Sequence, residues 1–264
     1  MKRLISLDLD GTLLTTAKTI SPKTKETLKR INRLDDNIIT LSSGRALRSM
    51  INYYNELELT SPVVCYNGGF VAKANSDYRP QVNPLDLTVL KSLMHDLGDL
   101  VVSARLENDK NLYLIKRDGL EPFFGHDNMN VFYVDSYDDI NDELYSLFVE
   151  LEDERVIPQV LKLKEKYPDY TIHTFRNYRG LFLRFSHEGI SKWSEIKKIS
   201  KYYQVDEVIV FGDANNDMEM LQNADKGILM LNGNEALREI SYDVTRFTND
   251  EDGISDYLEN VLGL

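Results

Sequence analysis

The chain has one cysteine, Cys65, among its 264 residues. A single thiol excludes an intrachain disulfide and leaves too few sulfur ligands for a structural zinc site. Cys65 lies in the strand-like run Pro-Val-Val-Cys-Tyr. We therefore expect a buried, unreactive thiol rather than a nucleophile.

Positive charge is also scarce, with 31 Lys and Arg against 43 Asp and Glu and a formal net charge of −12. Nucleic-acid surfaces need a basic stripe, so this balance argues against a nucleic-acid partner. An anionic substrate would need positive charge concentrated locally, by a metal ion or a lysine.

Uninterrupted apolar runs of membrane-spanning length are missing. Asp8 and Asp10 interrupt the apolar segment that follows Met1-Lys-Arg3, and no small-residue cleavage site follows, so we expect no signal peptide. These absences predict a soluble, cytoplasmic protein without a membrane partner. We expect a monomer or a weak homo-oligomer.

The first predicted strand, residues 4–9, is not followed by a glycine-rich phosphate loop, which disfavours a nucleotide-binding dehydrogenase. Asp8 and Asp10 stand instead where this strand ends, followed by Gly11 and Thr12. Buried carboxylates are costly unless a cation or hydrogen-bond donors meet them. The pair therefore indicates a metal site.

Strands and helices alternate on both sides of a central interruption. The predicted elements before it are a helix at 22–34, a strand at 37–41, a helix at 47–57 and a strand at 63–66. The alternation resumes after residue 186 with a helix carrying Trp193 and a strand at 208–211. This order is typical of an α/β, Rossmann-like parallel sheet, whose ligand site lies beyond the carboxyl ends of the strands.

The interruption, residues 83–186, has closely spaced strands and a turn-like Asn-Tyr-Arg-Gly sequence at 177–180, which predicts a hairpin. We interpret it as an inserted α+β cap domain. Residues 1–82 and 187–264 then form one discontinuous core domain.

Two further acidic residues, Asp213 and Asp217, follow the strand at 208–211. Together with Asp8 and Asp10 they place up to four carboxylates at one sheet edge. Such a set requires a hard cation with oxygen ligands, and Mg²⁺ is the best match because it binds few carboxylates and commonly bridges to phosphate.

Two features could hold a phosphate near that edge. Ser43-Gly44 stands between a strand and a predicted helix and offers a hydroxyl and backbone amides. Lys192, near the start of another helix, offers one fixed positive charge.

The order of these groups resembles the haloacid dehalogenase-like superfamily. Its four motifs are matched by Asp8-Leu-Asp-Gly-Thr12, Ser43-Gly-Arg45, Lys192 and the run from Gly212 to Asp217. Asn67-Gly68, Gly189-Ile-Ser-Lys192 and Asp252-Gly253 further resemble its Cof-type phosphatases, whose large cap (type IIB) is inserted between motifs two and three. Trp193 and the run at 229–234 depart from the usual pattern without removing a catalytic group.

The resemblance implies a Mg²⁺-dependent phosphatase that hydrolyses a small phosphorylated metabolite through an aspartyl-phosphate. It implies that Asp8 is the nucleophile, and that Asp10 moves the proton and gives its backbone carbonyl to the metal. Ser43 and Lys192 would hold the transferring phosphate. The other implied contacts are metal ligation by Asp213, a metal-ligand or supporting role for Asp217, and a substrate or phosphate contact by Asn216.

Two alternatives stay open. A phosphomutase would use the same acid pair but keep its phosphorylated intermediate, so it would release an isomerised sugar phosphate rather than free phosphate. A non-catalytic binding protein on this fold would be expected to lack at least one core acid, and none is missing here.

Overall fold

The computed structural model describes residues 1–115, 129–152, 154–176 and 180–264. The strands, in chain order, are β1 Arg3–Leu7, β2 Asn37–Leu41, β3 Val63–Cys65, β4 Phe70–Ala72, β5 Gln81–Val82, β6 Val101–Glu107, β7 Asn111–Ile115, β8 Asn130–Val134, β9 Ser146–Leu151, β10 Tyr170–Arg176, β11 Leu181–His187, β12 Glu207–Gly212, β13 Lys226–Leu229 and β14 Asp243–Val244. The α-helices are α1 Pro22–Asn32, α2 Ile51–Glu56, α3 Leu87–Leu97, α4 Ile157–Lys166, α5 Lys192–Tyr203, α6 Met218–Asn223 and α7 Gly253–Asp256.

The chain divides into two compact units, residues Met1–Gln81 with Ser191–Leu264 and residues Val82–Ile190. The first unit contains a parallel five-stranded sheet in the order β14-β13-β12-β1-β2. The interior strand β1, which lies between β12 and β2, is almost wholly buried, as expected for a strand covered on both faces. The predicted α/β, Rossmann-like core is confirmed.

The second unit contains a six-stranded sheet in the order β10-β11-β9-β6-β7-β8. All its neighbouring strands are antiparallel except β7 and β8, so the predicted mixed α+β module is confirmed. Helices α3 and α4 contribute to its hydrophobic core, through residues such as Leu93 and Val160. The predicted hairpin turn residues 177–179 lie outside the described residues, but β10 and β11 pair up to Arg176 and Leu181.

One predicted helix differs from the one observed. The helix expected at 47–57 is a 3₁₀ turn, Leu47–Ser49, followed by the short α2. Met50 separates them because its φ of −115° lies outside helical geometry. The last helix is also irregular, because α7 continues as one π-helical turn, Tyr257–Val261.

The carboxyl ends of the core strands carry the polar residues singled out in the sequence. Asp8 follows β1, Ser43 follows β2 and Asp213 follows β12. Because β1 lies between β2 and β12 in a parallel sheet, these three residues are brought to the same edge.

Candidate active site

Three carboxylates meet at this edge. Asp8, Asp213 and Asp217 each offer an oxygen, and the three oxygens lie within 4.8 Å of one another. Asp8 and Asp217 are buried and Asp213 is half-buried. Carboxylate oxygens are hard donors, which are the ligands that Mg²⁺ prefers. A typical zinc site would need histidine nitrogen or cysteine sulfur ligands, and this group of three acids contains neither.

Lys192 is buried between two of these acids. Its Nζ lies 2.5 Å from Asp8 Oδ1 and 2.6 Å from Asp217 Oδ1, and only 1% of its side chain is exposed. It is the first residue of α5, whose start is capped by Ser191 accepting a hydrogen bond from the Ser194 amide. Burial would lower the pKa of Lys192, but Asp217 and Asp8 outweigh it and raise that pKa. The lysine therefore stays charged.

Asp217 has a structural task in addition to its pairing with Lys192. Its Oδ2 accepts hydrogen bonds of 3.0 Å from the amides of Asp213 and Ala214. It ends a 3₁₀ turn, Asn215–Asp217, which leads directly into α6. Both of its oxygens are thus engaged by donors within the protein.

Burial and neighbouring negative charge raise the pKa values of Asp8 and Asp213. Burial raises the pKa of Asp8 well above its usual value; Lys192 opposes this, while Asp217 and Asp213 add to it. Burial, followed by the charge of Asp217, raises the pKa of Asp213 to about 6, although Thr12 donates a 2.9 Å hydrogen bond to its Oδ1. Excess negative charge thus remains at the site after Lys192 is counted, and a divalent cation would compensate it.

The Asp10 side chain does not join this group. Its carboxylate accepts hydrogen bonds from Arg45 Nε at 2.7 Å, Arg45 Nη2 at 2.6 Å and Lys18 Nζ at 2.6 Å. Burial alone would raise the pKa of Asp10, but Arg45 and Lys18 lower it below the usual value. Among the described residues, the cluster therefore contains three carboxylates rather than the four that the sequence allowed. A metal contact from Asp10 would have to come from its backbone.

Ser43 and Gly44 lie at the same edge but do not begin an α-helix. Ser43 is buried, and its Oγ accepts a hydrogen bond from the Arg45 amide at 3.2 Å. A hydroxyl that accepts one hydrogen bond still has its own proton to donate. A short 3₁₀ turn follows instead, so no α-helix N-terminus is available here to bind a phosphate. The Ser43 hydroxyl is still available for such a contact.

A strained turn after β3 completes the edge. Tyr66 and Asn67 both have a left-handed backbone with φ of 51°, which asparagine tolerates but which is costly for a bulky residue such as Tyr66. Asn67 Oδ1 accepts a 2.9 Å hydrogen bond from Asn216 Nδ2, which ties this turn to the loop after β12. Asn67 and Arg45 both lie within the motifs found in the sequence, but no role was predicted for either residue.

No helix in the described ranges combines the length and apolar character needed to cross a bilayer.

Comparison with curated proteins finds phosphatases along the whole chain. A 5-amino-6-(5-phospho-D-ribitylamino)uracil phosphatase of Bacillus subtilis is 32% identical over 270 residues, covering 99% of this chain and 98% of the relative. An Escherichia coli phosphatase of the same name is 25% identical over 269 residues, covering 98% and 96%. The predicted enzyme class, a phosphoric monoester hydrolase, is confirmed.

Solved structures show the same architecture. A haloacid dehalogenase-like hydrolase from Bacteroides thetaiotaomicron superimposes with a TM-score of 0.80 at 25% identity, covering 99% of this chain and 100% of that one. A sugar phosphatase of subclass IIB shares the fold with a TM-score of 0.81 at 20% identity, covering 100% of both chains. The model of the haloacid dehalogenase-like hydrolase family matches residues 5–258. The chain therefore belongs to the haloacid dehalogenase-like hydrolases, in the Cof-type group whose motifs it carries.

Proposed function

We propose that the protein is a Mg²⁺-dependent phosphatase that hydrolyses small phosphomonoesters through an aspartyl-phosphate formed on Asp8. The observation that carries this proposal is the buried ion pair between Asp8 and Lys192, set beside Asp213 at the carboxyl edge of the parallel sheet.

Asp8 is the proposed nucleophile. Its Oδ1 is fixed by Lys192, which leaves Oδ2 as the oxygen to attack phosphorus. The attack forms an acyl-phosphate bond and breaks the bond between phosphorus and the leaving oxygen. Attack of water on phosphorus then releases inorganic phosphate and regenerates the carboxylate.

The proposed metal ligands are the carboxylates of Asp8 and Asp213 and the backbone carbonyl of Asp10. Asp217 orients Lys192 and the backbone of Asp213 through its two carboxylate oxygens. When bound, Mg²⁺ would reduce the repulsion between the nucleophile and the anionic phosphate and polarise the phosphoryl oxygens. Thr12 holds Asp213 in place through its hydroxyl.

Asp10 is the proposed proton carrier, which protonates the leaving oxygen and then takes a proton from the attacking water. Ser43 and Lys192 would donate hydrogen bonds to the transferring phosphoryl group, with the Ser43–Gly44 backbone beside it. Asn216, next to Asn67, is proposed as a further contact to phosphate or substrate.

The proposed substrate class is a phosphate monoester of a small polyol or sugar. The curated relatives named above act on a phosphorylated ribitylamino-uracil, and the subclass IIB neighbour is a sugar phosphatase. A panel of sugar phosphates, polyol phosphates and that ribitylamino-uracil phosphate, assayed for free phosphate with Mg²⁺, selects among them. A phosphomutase would instead return an isomerised phosphate ester.

The nucleophile is tested with Asp8→Asn. We expect this variant to lose hydrolysis of 4-nitrophenyl phosphate by at least about 10⁴-fold, because an amide is a poor nucleophile and the covalent route is closed. Its circular dichroism should match the wild-type protein. Chelation of Mg²⁺ should silence the wild-type enzyme, and added Mg²⁺ should restore it. Full activity of Asp8→Asn would rule out the proposed mechanism.

A further inference from the structure

The loop between β12 and α6 begins at Asp213 and ends at Asp217, so it carries two of the three grouped acids. Asn215 and Asn216 lie between these acids and are exposed. Each of them nevertheless makes a side-chain hydrogen bond to an asparagine of a distant segment. We call these two contacts the asparagine clamp, which consists of the pairs Asn215–Asn234 and Asn216–Asn67.

Asn234, in the segment after β13, holds one side of this loop with its backbone and its side chain. Its amide donates to the Asp213 carbonyl at 2.7 Å, and its Nδ2 donates to Asn215 Oδ1 at 2.6 Å. Its Oδ1 accepts from the Ala236 amide at 3.1 Å and caps the 3₁₀ turn that follows. Gly233 permits this close approach, since an added Cβ there would lie 3.1 Å from Asp213 Cα. The Asn234 side chain therefore clamps through Nδ2 and caps through Oδ1.

Asn67, in the turn Tyr66–Gly68 after β3, holds the other side of the loop. Its Oδ1 accepts the hydrogen bond from Asn216 Nδ2, and its own amide donates to the Ser43 carbonyl at 2.9 Å. Asn67 is 9% exposed, and the turn packs against α5, the helix that begins at Lys192. Its left-handed backbone, with φ of 51° and ψ of 37°, is one that asparagine and glycine adopt more readily than other residues. The acceptor oxygen is therefore presented by a buried and well-anchored turn.

The asparagine clamp opposes a repulsion that exists before any cation binds. Asp8, Asp213 and Asp217 offer oxygens within 4.8 Å of one another, while Lys192 pairs with Asp8 and Asp217. Like charges at this spacing favour movement of the loop away from the end of β1. A cation binds more tightly when its ligands already stand in place, because ordering a loop on binding costs conformational entropy.

We propose that Asn67 and Asn234 are positioning residues: through the asparagine clamp they hold Asp213 in place for the cation before it binds. This inference rests on the proposed function, because it takes Asp213 as a metal ligand. The clamp acts on the loop that carries the carboxylate rather than on the carboxylate itself. All of its residues lie in the discontinuous unit that contains the grouped acids.

Two variants remove the clamp while keeping the local backbone. In Asn234→Ser the serine can still cap the Ala236 amide, but it is too short to reach Asn215. Asn67→Gly removes the acceptor oxygen and keeps a residue suited to the left-handed backbone. Isothermal titration of Mg²⁺ into the metal-free proteins should give a Kd about tenfold higher than wild type for each variant. The urea midpoint of each metal-free variant should stay close to the wild-type value, because a merely structural role would lower it.

The matched control is Asn223→Ala. The side chain of Asn223 donates to the Glu219 carbonyl within α6, so its hydrogen bond does not join the loop to another segment. We expect this variant to bind Mg²⁺ with the wild-type Kd.

A double-mutant cycle identifies the partner of Asn234. Asn215→Ala removes the acceptor of the Asn234 Nδ2 bond, so it should weaken Mg²⁺ binding by itself and cost nothing further in the Asn234→Ser background. Saturating Mg²⁺ should return the hydrolysis of 4-nitrophenyl phosphate by Asn234→Ser to near the wild-type kcat, because the variant is impaired in cation binding and not in the reaction.

Wild-type Mg²⁺ affinity in Asn234→Ser or in Asn67→Gly would overturn the inference, as would losses that multiply in the cycle. A fall in the metal-free urea midpoint that parallels the loss of affinity would also overturn it, because the asparagines would then act on folding alone. Should Asn67→Gly not fold, the cycle between Asn234 and Asn215 decides. Asp213→Asn separates this inference from the proposed function: wild-type Mg²⁺ affinity in that variant would show that the proposed metal site itself is wrong.

Discussion

Gly11 occupies a position that only glycine can fill without moving Asp213. Its φ is +82°, and a Cβ added there would lie 2.4 Å from Asp213 Oδ2. Its carbonyl also accepts a 2.7 Å hydrogen bond from Asn232 Nδ2, which fixes the turn from outside. The small residue after Asp10 thus makes room for a proposed metal ligand from another strand.

Replacing Gly11 with alanine should therefore weaken Mg²⁺ binding. The added methyl group displaces Asp213, and losses of this kind at residues supporting a metal site are about 10- to 100-fold in affinity. Isothermal titration of Mg²⁺ into the metal-free variant measures the effect. Gly189→Ala is the control, because Gly189 also has a positive φ, +73°, but nothing within 4 Å of an added Cβ. Equal affinities in the two variants would contradict this account.

For individual residues, the sequence predicts which ones lie together at the edge of the sheet, but not which groups each side chain contacts. Asp8, Asp213 and Lys192 come together because each stands at the end of a strand or the start of a helix. The partner of Asp10 was not predictable, because it depends on Arg45, whose carbonyl is held by the strained turn at Tyr66. That turn is set by long-range packing, which motif spacing does not encode.

At the other end of the core strands, an ion-pair cluster joins three elements. Glu207 of β12 lies 2.9 Å from Arg3 Nε of β1 and 2.8 Å from Lys226 Nζ of β13. Burial would raise the pKa of Glu207, but hydrogen bonds and charge from Lys226 and Arg3 lower it below its ordinary value of 4.5. The ionised form therefore stabilises the contact between neighbouring strands.

This cluster gives the folded state a pH dependence at its acidic limit. Because the folded pKa of Glu207 is depressed, its contribution is complete above the unfolded value near 4.5 and is lost as pH falls through the folded value. Glu207→Gln should lower the free energy of unfolding in urea by about 1 kcal/mol or more near neutral pH. The difference from wild type should shrink near pH ~3.

The exposed Glu26 of α1 provides the matched control, since Glu26→Gln should change the free energy of unfolding by less than ~0.5 kcal/mol at either pH. A gap between Glu207→Gln and wild type that stays constant from neutral to acid pH would show that the glutamate stabilises by packing rather than by charge.

Elements with strong apolar periodicity were predictable and those shaped by tertiary context were not. β2 was predicted at its observed bounds because an apolar run between turn residues reads directly as a buried strand. α7 begins at Gly253 because Asp252, at φ of 63°, redirects the chain just before it and accepts hydrogen bonds from Ser21 and Thr24. These contacts join residues more than 200 positions apart, so the local sequence around α7 does not predict them.

The whole chain consists of two units with separate hydrophobic cores. Buried residues such as Leu147 and Ile172 belong to the core of the unit Val82–Ile190, whereas Ile196 and Val210 belong to the core of the other unit. The three grouped carboxylates all lie in the discontinuous unit. A cation bound there acts on the stability of that unit first.

Hydrogen exchange on the full-length protein should reveal this division. A ligand that binds only the folded form stabilises that form by RT ln(1 + [L]/Kd), which is about 2.7 kcal/mol when the ligand concentration is 100-fold above Kd. Mg²⁺ at that excess should therefore slow amide exchange in β1 and β12 by up to ~100-fold. Amides of β9 and β11 should exchange at nearly the metal-free rate, because their opening does not release the cation. In Asp213→Asn the Mg²⁺ effect on β1 should largely vanish. Equal slowing in all four strands would show instead that the two units open as one cooperative structure.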